Sequence, residues 1–166
     1  MEEQEKYIVP AETRIGHVHL KVSDLNRSLA FYCDLLGFEI TTMYGTQAAF
    51  ISAGGYHHHI GLNTWHSKGA GPAPVNTAGL YHVAILYPTR KDLAIIYDRL
   101  RTAYYPLTGA SDHGVSEALY LDDPDGNGVE LYWDRPKELW KYNEDGTIEM
   151  YTKALNINSL VGELEK

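Results

Sequence analysis

The chain repeats itself, and this constrains its fold more than any other feature. Setting "GHVHLKVSDLNRSLAFYCDLLGF" (residues 16–38) over "YHVAILYPTRKDLAIIYDRLRTA" (81–103) places His17 on His82, Val18 on Val83, Tyr32 on Tyr97 and Leu35 on Leu100. Each stretch opens as an apolar strand and continues into an amphipathic helix. Asp24 or Ser23 can cap the first helix, Leu25, Leu29, Tyr32 and Leu36 form its stripe, and Gly37 stops it. Thr89 and Asp92 read as a capping box for the second, whose stripe is Leu93, Ile96 and Leu100. Further on, "AFISAGGYHHHIGLN" (49–63) lies over "ALYLDDPDGNGVELY" (118–132), each being two strands around a Gly-rich turn. The two alignments differ by four residues, which a longer loop around "LTGASDHGVSEA" absorbs.

The fold class is therefore α+β, built from two tandem βαβββ units. Residues 1–13 are an N-terminal extension and 14–136 one domain: unit one at 14–65, a Gly/Pro/Ala-rich linker at 66–79, unit two at 80–136. A unit of about 60 residues hardly stands alone, so the linker is a hinge between halves of one domain. The tail, 137–166, has a turn at "NEDG", a strand at "TIEMYT" and a helix after Asn158. Trp140, Met150 and Tyr151 are too apolar for a free tail and should pack on the domain or on a partner subunit.

Alternate residues on a strand face opposite ways. In "HVHLKV", Val18, Leu20 and Val22 pack toward the helix, leaving His17, His19 and Lys21 on the open face. The same alternation puts His82, Tyr120, Glu130 and Tyr132 on the open face of unit two. Two repeat-related histidines and a glutamate on one face are what a divalent metal needs, a facial triad with positions left free. The same side chains would also serve as plain wetted groups on a strand face.

Composition narrows the partners. A net charge of −8 without a Lys/Arg cluster argues against nucleic acid. Cys33 is the only cysteine, which excludes an intramolecular disulfide and a thiolate metal site. The start "MEEQEKYIVP" lacks the apolar region of a secretory signal, and no run is long enough to span a membrane. A cytoplasmic location is expected.

The paired units, with "HVHLKVSDLNRSLAFYCDLLGF" and "LYLDDPDGNGVELYWDRP", resemble the vicinal oxygen chelate superfamily of glyoxalases, bleomycin-resistance proteins and extradiol dioxygenases. Within it, "YHHHIGLNTW" and "SDHGVSEALYLDDPDGNGVELYWDRP" are similar to bacterial catechol-2,3-dioxygenase-like proteins. The resemblance implies one open, cupped mixed sheet with helices outside and a metal site on the concave face. The first-strand histidines and the last-strand glutamate are the family's metal ligands; here they are His17, His82 and Glu130, the set the alternation isolates. The expected metal is Fe(II), with Zn, Ni or Mn as other possibilities. Gly61 stands where Glu130 stands in unit two, so the fourth ligand common in glyoxalase I-type isomerases is missing.

The expected activity is extradiol ring cleavage of a catechol-like diol with dioxygen. The alternatives are a glyoxalase-like isomerase or lyase, and a non-catalytic small-molecule-binding protein of the resistance type. The resemblance implies His59 as acid–base group, with His57 a second candidate, and Tyr120 as a hydrogen-bonding catalytic residue. Asp112, His113 and Tyr132 are the expected substrate contacts. His58 should point away from this face, and no two adjacent histidines of the triplet should share an ion. A single pair of units, where catechol-dioxygenase relatives often carry two, suggests a homodimer.

Overall fold

A computed structural model describes residues 6–166, so the first half of the charged start lies outside the described residues. Unit one runs β1 (Val18–Lys21), α1 (Leu25–Leu29), β2 (Glu39–Tyr44), β3 (Ala48–Ser52) and β4 (Ile60–Asn63). Unit two runs β5 (Val83–Leu86), α2 (Arg90–Thr102), β6 (Gly109–Asp112), β7 (Ser116–Asp122) and β8 (Gly128–Asp134). The tail adds β9 (Lys153–Ala154) and α3 (Ile157–Val161). The α+β class stands as expected, and the repeat is visible in the pairing. His19 faces Gly61 between parallel β1 and β4, and Ala84 faces Glu130 between parallel β5 and β8.

The expected single sheet is divided in two: β1-β4-β3-β2, and β5-β8-β7-β6-β9. The units are joined through residues of their helices, and β1 and β5 each lie at one edge of their sheet. The Gly-rich turn of unit two seats against the first helix of unit one. Tyr32 donates to Asp123 Oδ2 at 3.0 Å, and Arg27 pairs with Asp125 at 2.6 Å. Asp123 is 4% exposed and also accepts from the backbone N–H groups of Asp125 and Asn127. From the other side, Arg99 donates to the carbonyls of Leu35 and Asp34. One apolar core therefore takes Leu20, Ile51 and Leu62 from unit one together with Leu93, Leu100, Leu119 and Leu131 from unit two.

The helices begin as the sequence implies. Asp24 accepts from Arg27 N–H, and Thr89 and Asp92 form the reciprocal box. The first helix departs from its expected stripe, because α1 continues as a π-helical segment, Ala30–Leu35. The wider turn rotates the face, so Phe31 joins Leu25, Tyr32 and Leu36 in the core while Leu29 is only half-buried. Gly37, at φ +89°, ends it. In the tail the strand forms at Lys153–Ala154 rather than at "TIEMYT", and Leu155 and Leu160 enter the core.

Candidate metal and substrate site

Glu130 lies on β8 between Ala84 of β5 and Tyr120 of β7. The small Ala84 side chain leaves the carboxylate room, and Oε2 lies 2.9 Å from His82 Nε2. Gly128 permits this approach, since a Cβ there would run into the Tyr81 carbonyl and press on His82. Tyr120 Oη donates to Glu130 Oε1 at 3.1 Å. Burial and then the Glu130 carboxylate push the Tyr120 phenol up to about 12, so it remains protonated at neutral pH. Its oxygen also lies 2.7 Å from His113 Nε2, and His113 Nδ1 lies 2.9 Å from the Tyr151 carbonyl. A hydrogen-bonded chain thus runs from the tail through His113 and Tyr120 to Glu130, whose other oxygen makes the close contact with His82. His82 Nδ1 is buried without a partner, an exception among buried polar atoms. His82, His113 and Tyr120 line a cavity of about 610 Å³ together with Tyr81, Ser111 and Thr152.

Unit one presents a second, separate gathering of imidazoles. His17 lies against His58 with ring centroids 4.4 Å apart and the planes tilted by 50°, and His58 meets Phe50 edge-on. His57 and His58 bring their Nδ1 atoms to 2.7 Å. His59 Nδ1 accepts the backbone N–H of Ala53 at 3.3 Å and lies 3.0 Å from the Ser52 hydroxyl. Burial first, then neighbouring histidines with His17 foremost, lowers the pKa of His58; burial and His17 lower that of His19. Both shifts favour the neutral rings.

His82, Glu130, Tyr120 and His113 are brought together, whereas His17 stays with His58 on the other sheet. Among the described residues no three His, Cys, Asp or Glu side chains gather to hold a metal ion. His57 and His59 belong to unit one and do not line the cavity. Three expectations need correction. His58 does not point away: residues 56–59 precede β4 and escape its alternation, and the ring folds back over His17. The Nδ1 atoms of His57 and His58 meet as a hydrogen-bonding pair, which is not a shared ion. Asp112 does not face the cavity. Arg135 binds both its oxygens, at 2.8 and 3.1 Å, and holds its carboxyl below the usual carboxylate range. Tyr132 pairs with Leu86 and Ala118 two residues beyond Glu130 and does not line the cavity. The sequence reading missed Ser111, Tyr81 and Thr152. Tyr81 could have been found beside His82, but nothing in the repeat points to Thr152.

The family model of the Glyoxalase/Bleomycin resistance protein/Dioxygenase superfamily matches residues 14–131. The chain is 40% identical to "Catechol-2,3-dioxygenase" of Bacillus subtilis (strain 168) over 92% of its own length and 52% of that protein's. It therefore spans about half of that relative. It is 33% identical to "Biphenyl-2,3-diol 1,2-dioxygenase 3" of Rhodococcus globerulus, over 78% of this chain and 69% of that protein. A glyoxalase/dioxygenase from Nostoc punctiforme superposes with a TM-score of 0.63 at 18% identity, covering 80% of this chain and 99% of the other, a likeness of fold.

Proposed function

Because the chain belongs to the glyoxalase, bleomycin resistance protein and dioxygenase superfamily, we propose that it is a metal-dependent extradiol-type dioxygenase opening a catechol-like aromatic diol. The observation that carries this reading is the pair His82 Nε2 and Glu130 Oε2, 2.9 Å apart. Ligand bonds of about 2.0–2.2 Å meeting near a right angle leave two donors roughly 3 Å apart. The pair thus has the spacing of neighbouring ligands on one ion, and Tyr120 on the other carboxylate oxygen is the outer partner such a ligand needs. Two imidazoles and one carboxylate, with His17 as the third donor, suit Fe(II) and leave positions open; Zn, Ni and Mn accept the same donors.

His17 joins the set from a second copy of the chain. β1 and β5 are edge strands, each with its histidine immediately before the first residue. Ile15, Tyr81 and Leu86 near these edges are 94%, 91% and 53% exposed, apolar surface that a homodimer would cover. What bound iron(II) supplies is a template for diol and dioxygen and a path for charge between them. The chain's own groups do the rest. Tyr120 holds Glu130 in place, and His113 and the cavity hydroxyls orient the diol. Val18 N–H bonds to the His59 carbonyl, so His59 travels with His17. Its Nδ1 accepts from Ala53, so in the neutral ring Nε2 carries the hydrogen and serves as proton donor, with His57 the alternative.

The test is metal content and catechol cleavage by anaerobically purified protein. Bound iron with ring cleavage is expected; zinc or nickel without ring cleavage overturns the reading. His17→Ala and Glu130→Ala chains should each be inactive alone and recover about a quarter of native activity when mixed, because half the dimers would keep one intact site. No recovery on mixing overturns the shared site.

A further inference from the structure

We propose that the C-terminal tail is a working wall of the unit-two cavity, with Tyr151 a positioning residue whose carbonyl fixes the tautomer and aim of His113. The inference rests on the dioxygenase reading only for its effect on turnover. A carbonyl oxygen can only accept, so the imidazole nitrogen 2.9 Å from Tyr151 O must carry hydrogen. The Thr152 hydroxyl, 3.4 Å from the same nitrogen, then accepts as well. With the proton at Nδ1, the neutral ring offers a lone pair at Nε2, 2.7 Å from Tyr120 Oη. Tyr120 shares its one proton between two acceptors, His113 Nε2 at 2.7 Å and Glu130 Oε1 at 3.1 Å. The opposite tautomer would donate from Nε2 to Tyr120 and leave that proton to Glu130 alone. The tail thereby sets the direction of the hydrogen bond next to the carboxylate.

The clasp is held at several points. Tyr151 N–H returns to the His113 carbonyl at 3.3 Å, so residues 113 and 151 are bonded twice. The Tyr151 ring lies over Gly114, where φ is +82° and a Cβ would stand 2.8 Å from ring carbon Cε1. Lys153 Nζ sits 4.2 Å from the same ring's centroid. Beyond it, β9 pairs with β6, Leu155 and Leu160 are buried, and Arg90 binds the Ser159 carbonyl and Glu163. These tail residues all lie past the stretch that the family model matches.

The experiment is ¹⁵N NMR of the histidine rings, with His113 assigned by its loss in His113→Gln, at a pH above the imidazole range. The native protein should show His113 as the Nδ1–H tautomer, and Tyr151→Phe, which keeps ring and carbonyl, should match it. Tyr151→Ala, which keeps the carbonyl but loses the ring that seats it over Gly114, and a chain ending at Met150, which loses both, should shift toward Nε2–H. For catechol cleavage, kcat of Tyr151→Ala should fall roughly 10–100-fold with KM little changed, Tyr151→Phe restoring it. An Nε2–H tautomer in the native protein overturns the inference even if neither variant folds. So does a native tautomer in folded Tyr151→Ala. Absence of ring cleavage in the native protein overturns the dioxygenase reading alone, and the tautomer still decides this one.

Discussion

In unit one the His19 ring lies over Gly61, while in unit two the equivalent pair is Ala84 and Glu130. A Cβ on Gly61 would stand 2.9 Å from the His19 ring, so a glutamate there cannot swing freely to an open ligand position. Gly61→Glu should cost about 1–3 kcal/mol by overpacking, and His19→Ala in the same chain should restore most of it. Urea unfolding of the parent and the two variants decides this; a Gly61→Glu protein as stable as the parent would mean His19 does not cover it. Asp112 gives a pH signature. Arg135 depresses its folded pKa, so its stabilisation is present above the unfolded value of about 3.9 and is lost as pH falls through the lower folded value. The stability gap between parent and Arg135→Gln should therefore be flat near neutral pH and shrink below about pH 4. Period-two alternation made the face of Glu130, Tyr120 and His19 legible from sequence. It misplaced His58, which precedes the strand; Asp112, expected to meet substrate from the loop around "ASDHGVSEA", instead ends β6 and pairs with Arg135, 23 residues away in the chain.

The elements themselves were largely legible because their signals are local: the Thr89 box, the Gly37 stop and the Gly-rich hairpins. The π-helical segment was not, since a uniform 3.6-residue period assigns Leu29 the place that Phe31 shares in the structure. Its result is the inward turn of Tyr32, 0% exposed, whose hydroxyl meets Asp123 across the joint. Tyr32→Phe should cost about 1–3 kcal/mol, because it takes one partner from a buried carboxylate and leaves the ring's packing unchanged. Thermal or urea unfolding would read this, and an unchanged midpoint would show that the joint does not need that bond.

For the whole molecule, the repeat disclosed two units but not how they meet. That depends on contacts distant in sequence, such as Arg27 with Asp125 and Arg99 with the carbonyl of Leu35, which no local pattern records. The placement of the tail was equally hidden, because β9 has only two residues and unit one has no counterpart to it. That short strand has a consequence for solubility. It covers β6, which otherwise would leave sheet two ending in a row of unpaired backbone groups. Such a row is a template for another chain to add to, and self-association is the usual result. A chain ending at Met150 should therefore scatter light at concentrations where the parent stays clear, and adding a charge by Ser111→Lys should suppress the scattering. Equal clarity of the truncated and parent proteins would show that two residues of β-structure are not what keeps this edge from sticking.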